Sequence, residues 1–140
     1  MSKAKSWASK YFKMVEIVPR VGGDLSMFHP DYPEFLDAIR GILGPMVIND
    51  YHKGGQMQWR GLRLPSCPQW SPGSQHSYDK ASGKLCAAFD ATCLDHSAAS
   101  ARKILLEKNP ALLGRLEDGV SWLHADMGPR RGGRVHVFRP

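Results

Sequence analysis

Three residues of this chain have side chains suited to holding a metal ion and stand in polar or turn-like settings. They are His76 in "SPGSQHSYD", Asp90 at the close of "KLCAAFD", and His124 in "SWLHADM". Catalytic zinc sites take three protein ligands from His, Asp or Glu and keep a further position for water. Such an ion acidifies that water and polarises a carbonyl group. His76 precedes the apolar run that ends in Asp90, and His124 lies on a later run, so a sheet can bring the three together. Cys86, Cys93 and His96 are rival ligands because all lie near Asp90, and His136 is expected across a hairpin from the His124 strand. The same residues are also compatible with an ordinary loop histidine and with an Asp90 that caps the turn before a helix.

The elements that must position these residues can be read from the apolar pattern. "DYPEFLDAIRGIL" predicts a helix, with Asp31 as cap, Pro33 in the first turn and an apolar face of Phe35, Leu36, Ile39, Ile42 and Leu43. Gly44–Pro45 ends it, and "MVI" reads as a short buried strand. From Asn49 to Gln75 periodicity vanishes in a run rich in Gly, Pro and Ser, which is long for a compact domain. Its two tryptophans and paired glycines point to an ordered loop that shapes a cleft.

"KLCAAFDAT" predicts a strand that ends at Asp90, and the stretch after Asp95 or Ser97 a helix with Ile104 and Leu105 inward, turning at Asn109–Pro110. In "VSWLHADM" alternation sets Val120, Trp122, His124 and Asp126 on one face. "GPRRGG" reads as a hairpin turn into a closing strand, "RVHVFRP". The expectation is an α+β fold: a small antiparallel sheet of four strands with helices packed against it.

The chain has 140 residues, enough for one domain with a modest core. We expect a tail over residues 1–10, a single domain over 11–140, and a monomer. Three cysteines without a CxxC pair argue against both a disulfide scaffold and a cysteine-rich zinc knot. The opening residues lack the apolar stretch and cleavage site of a signal peptide, and no run reaches the ~18 apolar residues of a membrane span. A formal charge of +6 suits an anionic partner such as nucleic acid, lipid or cell wall. Nucleic acid is not expected, because no helix-turn-helix pair, finger spacing or aromatic strand motif is present.

In order, the motifs resemble those of the small zinc peptidases of the D-alanyl-D-alanine carboxypeptidase family, related in fold to the hedgehog signalling domain and the vancomycin-resistance peptidases. The compact versions encoded by bacteriophages are the most similar. That family's first motif is Ser-x-His-x-x-Gly-x-Ala-x-Asp, with His and Asp as zinc ligands. Here it is matched by Ser74-Gln75-His76 and by the "AAFD" that ends in Asp90. The second family motif ends in Trp-x-His, matched by Trp122-Leu123-His124. "YFKMVEIV", "FLDAIRGILGPMVIND", "WRGLR" and "VHVFRP" resemble further family elements, so the likeness spans residues 11–140.

The resemblance implies a hedgehog-type DD-peptidase fold, a Zn2+ held by His76, Asp90 and His124, and hydrolysis of peptidoglycan stem-peptide or cross-link bonds next to D-Ala. It also implies a phage-encoded protein made in the bacterial cytoplasm that acts on the cell wall after release or as part of a virion. Three departures stand out. His76 and Asp90 lie 14 positions apart, longer than the family spacing, which an inserted loop "DKASGK" accounts for; keeping the spacing instead would put Gly83 at the ligand position. Ser121 occupies the place, three before the last histidine, where many members carry the general base Glu. Asp126 is then the first candidate base or the partner that orients His124, with Glu117 next and Asp118 beside it. Finally, the family's Ser-Gly-Tyr-Arg is replaced by Asn49-Asp50-Tyr51-His52. Arg60 or Arg63 can fill the role of that arginine, since a guanidinium matches a peptide carboxylate in bidentate fashion. His52 and Trp122 complete the expected substrate-binding set.

Overall fold

A helix whose apolar residues recur every three or four positions must bury that stripe, and in the computed structural model, which describes residues 7–140, it does so on a sheet. Helix α1 (Tyr32–Leu43) buries Tyr32, Phe35, Leu36, Ile39 and Leu43, while Ile42 stays half-buried. Pro33 lies in its first turn, and Asp31 holds the cap position without a side-chain capping bond. Gly44, at φ +82°, ends the helix in a conformation only glycine adopts easily, and a side chain there would also meet the Asp95 carboxylate. Helix α2 (Ala98–Lys108) is capped by Ser97, whose hydroxyl accepts from the Ser100 N–H, and closes on Asn109 in the left-handed region. It turns Ala101 and Leu105 inward and leaves Ile104 half-buried.

The sheet has five strands: β1 (Met46–Val47), β2 (Ala88–Cys93), β3 (Arg115–Glu117), β4 (Leu123–Asp126) and β5 (His136–Phe138). Their order is β1-β2-β4-β3-β5. All neighbours run antiparallel except β3 and β5, which are parallel. The chain is thus an α+β protein with a mixed sheet rather than the expected antiparallel one.

Three further expectations are corrected. Strand β2 does not end at Asp90; it continues to Cys93 because Thr92 and Cys93 pair with β1. The three residues of β3 carry a single apolar residue, too few for an alternating pattern, and were not legible as a strand. The turn at Arg131–Arg134 forms, but β5 does not return along β4, since β2 and β3 already take both edges of that strand. His136 therefore lies beyond β3, opposite Arg115.

Alternation divides the sheet into two faces. Phe89, Ala91, Leu116, Leu123 and Ala125 point into the apolar core with both helices, and Phe35 of α1 meets Phe89 at 5.5 Å between ring centroids. The opposite face carries Asp90, Arg115, Glu117, His124 and Phe138 along a cleft. Of the expected tail, residues 1–6 lie outside the described residues. Residues 7–10 are held to the domain: Trp7 packs on Phe28 and Tyr32, and the Ser9 hydroxyl donates to Asp37 of α1 at 2.6 Å. No described helix is long and apolar enough to cross a membrane.

Gly114 sets how closely β3 can approach β4. Its N–H donates to the Asp126 carbonyl at 2.8 Å, its carbonyl accepts from the His136 N–H at 2.9 Å, and a methyl group at its Cα would collide with the Gly128 carbonyl. Backbone cannot move aside as a flexible side chain can. Gly114→Ala is therefore expected to destabilise the fold by about 2–3 kcal/mol, the cost of overpacking a tight contact. A urea unfolding midpoint equal to that of the parent would show that the segments at Gly114 and Gly128 have room between them.

Candidate metal centre

The long segment between β1 and β2 is ordered by bonds to the rest of the fold. Asn49, fully buried, donates from its amide to the Val18 carbonyl at 3.0 Å and accepts the Arg60 N–H at 3.0 Å. The Leu62 N–H donates to the Ile17 carbonyl, and the Arg63 N–H to the His76 carbonyl. Two bonds join the segment to the start of β2: Ala87 N–H to the Gln75 carbonyl at 2.8 Å, and Asp90 N–H to the Arg60 carbonyl at 2.7 Å. The loop thereby carries His76 to the face of the sheet that bears Asp90 and His124.

Asp90 and His124 stand directly opposite each other on β2 and β4. His76, Asp90 and His124 are all buried, and their inward atoms converge. The His124 Nδ1–Asp90 Oδ1 distance is 2.9 Å, His76 Nε2–Asp90 Oδ1 is 3.3 Å, and His76 Nε2–His124 Nδ1 is 3.3 Å. Tetrahedral ligands at zinc distances lie roughly 3.3 Å from one another, so the spacing suits a single metal ion.

The outer nitrogens define what the inner ones offer. His76 Nδ1–H donates to the Gly61 carbonyl at 2.9 Å, because a carbonyl can only accept. His124 Nε2–H likewise donates to Asp126 Oδ2 at 2.8 Å. With these protons outward, His76 Nε2 and His124 Nδ1 turn lone pairs toward a carboxylate oxygen. Three electron-pair donors this close repel one another unless a proton or a metal ion lies among them. This donor set can hold a metal ion.

Charge follows the same geometry. Burial pushes the His76 ring toward its neutral form, and Asp90 only partly offsets this. For His124, burial also opposes charge, but hydrogen bonds to Asp126 and Asp90 overcome it and raise the pKa to about 9. Burial disfavours the Asp90 anion, yet the adjacent His76 and His124 hold its carboxyl well below the usual carboxylate range. In the metal-free protein the proton between His124 and Asp90 therefore stands where the ion would.

The other candidates fall into three groups. Arg63, Glu117 and Trp122 line the cleft of about 400 Å³ with His76, Asp90 and His124. Arg63 donates from Nη2 to Asp90 Oδ2 at 3.2 Å and from Nε to the Trp59 carbonyl at 2.9 Å. Glu117 stands opposite His124 on β3, and its carboxylate makes no hydrogen bond among the described residues. Asp126 lies behind His124, fully buried, with its oxygens engaged by His124, Arg115 and the Gly128 N–H.

Arg60 and His52 are not among the cleft residues; Arg60 donates to Thr92 Oγ1 instead. Of the rival ligands, Cys86 is a core residue whose thiol burial pushes up to about 12, so it stays protonated. Burial raises the Cys93 thiol as well. Cys86, Cys93, His96 and His136 all stand outside the converging group. Sequence reasoning missed Arg115, Phe138 and Gln69, which also line the cleft. Arg115 carries no motif, and Phe138 stood out only as part of the closing segment "VHVFRP"; strand pairing is what brings both to the cleft.

The chain matches no protein-family model, no curated protein and no solved structure.

Metal and proton compete for His124. A group whose folded pKa is raised from 6.5 to about 9 stabilises the metal-free fold fully below pH 6.5 and loses that contribution as pH rises through 9. Metal affinity must run the other way. With Zn2+ as probe in chelator competition, affinity is expected to rise roughly tenfold per pH unit between pH 7 and 9 and level off above, with one proton released per ion. A profile flat across that window would show that the metal displaces no proton from His124.

Proposed function

We propose that the chain is a zinc-dependent peptidase of the hedgehog-type DD-peptidase fold, hydrolysing bacterial peptidoglycan stem-peptide or cross-link bonds next to D-Ala. The observation that carries this reading is the convergence of His76, Asp90 and His124, with both histidine tautomers directed inward. The order of the Ser-Gln-His, "AAFD" and Trp-Leu-His segments supports it, since these are the segments that resemble the family. Hard and borderline donors, two imidazoles and a carboxylate, suit zinc. A net charge of +6 fits an anionic cell wall, and the likeness to compact phage-encoded members fits a lysin or virion component.

His76, Asp90 and His124 would hold the ion, which when bound supplies Lewis acidity and makes water nucleophilic near neutral pH. Glu117 is the general base in this reading. Its carboxylate is on the cleft side of β3, is the cross-strand neighbour of His124, and has no other partner among the described residues. It takes a proton from the attacking water and returns it to the leaving amine. Asp126 is fully engaged in orienting His124. Ser121, at the family's glutamate position, is exposed and not among the cleft residues. Arg63 holds Asp90 with Nη2 and the Trp59 carbonyl with Nε, and offers its Nη1 N–H groups to a substrate oxygen. Trp122 provides an apolar wall beside it.

The test is zinc content by elemental mass spectrometry together with release of new amines from purified peptidoglycan. Wild-type protein is expected to hold about one zinc per chain, as one donor set allows. His76→Ala, Asp90→Ala and His124→Ala should each lose the metal. Glu117→Gln should keep the metal and lose roughly 10²–10⁴-fold in hydrolysis, the usual contribution of a general base. Zinc-loaded wild-type protein that releases no amine would sink the peptidase reading and leave a metal-holding domain that binds cell wall or serves a structural role.

A further inference from the structure

Resting on the zinc-holding half of the proposed function, and independent of peptide hydrolysis, we infer that Arg115 is a positioning residue for the metal centre, acting on His124 through Asp126. Arg115 and Asp126 stand directly opposite on β3 and β4. The guanidinium grips the carboxylate with two nitrogens: Nε lies 3.0 Å from Oδ1, and Nη2 lies 2.9 Å from Oδ2. The same Oδ2 accepts the His124 Nε2–H at 2.8 Å. The Gly128 N–H donates to Oδ1 at 2.8 Å, and any side chain at Gly128 would crowd both Arg115 and Asp126.

Asp126 thus faces His124 in one orientation, because both of its oxygens are already committed. Arg115 is itself held: its guanidinium lies 4.5 Å over the Phe138 ring, and Phe138 stands edge-on to His124 at 5.6 Å. The assembly runs from β5 through β3 to β4 and ends at a metal ligand. A carboxylate that fixes a ligating histidine governs metal affinity, and here the carboxylate is fixed in turn by a planar two-pronged donor. Lysine, a point charge on a flexible stem, cannot supply both prongs.

The experiment is a double-mutant cycle read by zinc affinity in chelator competition. Arg115→Met is expected to weaken zinc binding about 10–100-fold, the range seen when partners of metal-bound histidines are removed. Arg115→Lys should recover part of that loss. In an Asp126→Asn background, Arg115→Met should have almost no further effect, because its route to His124 is already cut. That double variant also leaves no unpaired buried charge, so it provides a folded reference should Arg115→Met alone unfold. Additive losses, or zinc affinity in Arg115→Met within twofold of the wild type, would overturn the role while leaving the zinc site standing. Wild-type protein that binds no zinc would overturn both.

Discussion

Two histidine nitrogens and a carboxylate oxygen, all buried and within 3.3 Å of one another, cannot share a site without a cation among them. That constraint governs the rest of the molecule. Each of the three is held from behind by a bond that fixes its orientation: the Gly61 carbonyl for His76, Asp126 for His124, and Arg63 for Asp90. Left to itself, such a cluster would take up a proton or turn its side chains outward. The fold prevents the second outcome by burying the three side chains and engaging their outer atoms.

The sheet does this with little material. Strands β3, β4 and β5 are three, four and three residues long. Pairing along β4 sets Asp90 and Glu117 on either side of His124, and sets Arg115 beside Asp126. Alternation sends Leu123, Ala125, Leu116 and Phe89 to the other face, where α1 and α2 close the core. One sheet therefore serves two environments, an apolar one that holds the fold together and a polar one that concentrates charge. Antiparallel pairing suits this division, since residues directly opposite lie close enough to interact as pairs.

The polar face also gives the carboxylates of Asp126 and Glu117 different surroundings. Asp126 shares the alternation of His124 and is its nearer neighbour in the chain, yet every direction around its carboxylate is taken. Glu117 is more distant in sequence but is brought opposite His124 by strand pairing. Proximity along the chain is a poor guide to which acid has a free oxygen. What decides is the set of donors that pack around it.

Much of the fold was legible: α1 and its apolar face, the caps near α2, the β1 segment, and the ordered character of the loop before β2. His76, Asp90 and His124 also stood out as residues able to hold a metal ion, and the structure brings those three together while leaving the rivals Cys86, Cys93, His96 and His136 outside. The parallel pairing of β5 was not legible, nor was β3, since three residues with one apolar side chain give no period to read. Arg115 escaped notice for the same reason. The sequence by itself determined which residues could ligate and which stripes must be buried, because those depend on side-chain chemistry and local periodicity. Only the tertiary structure decided which strand neighbours which, and hence that Arg115 holds Asp126 while the Glu117 carboxylate has no hydrogen bond among the described residues. Those choices depend on contacts between residues distant in the chain, and no local pattern encodes them.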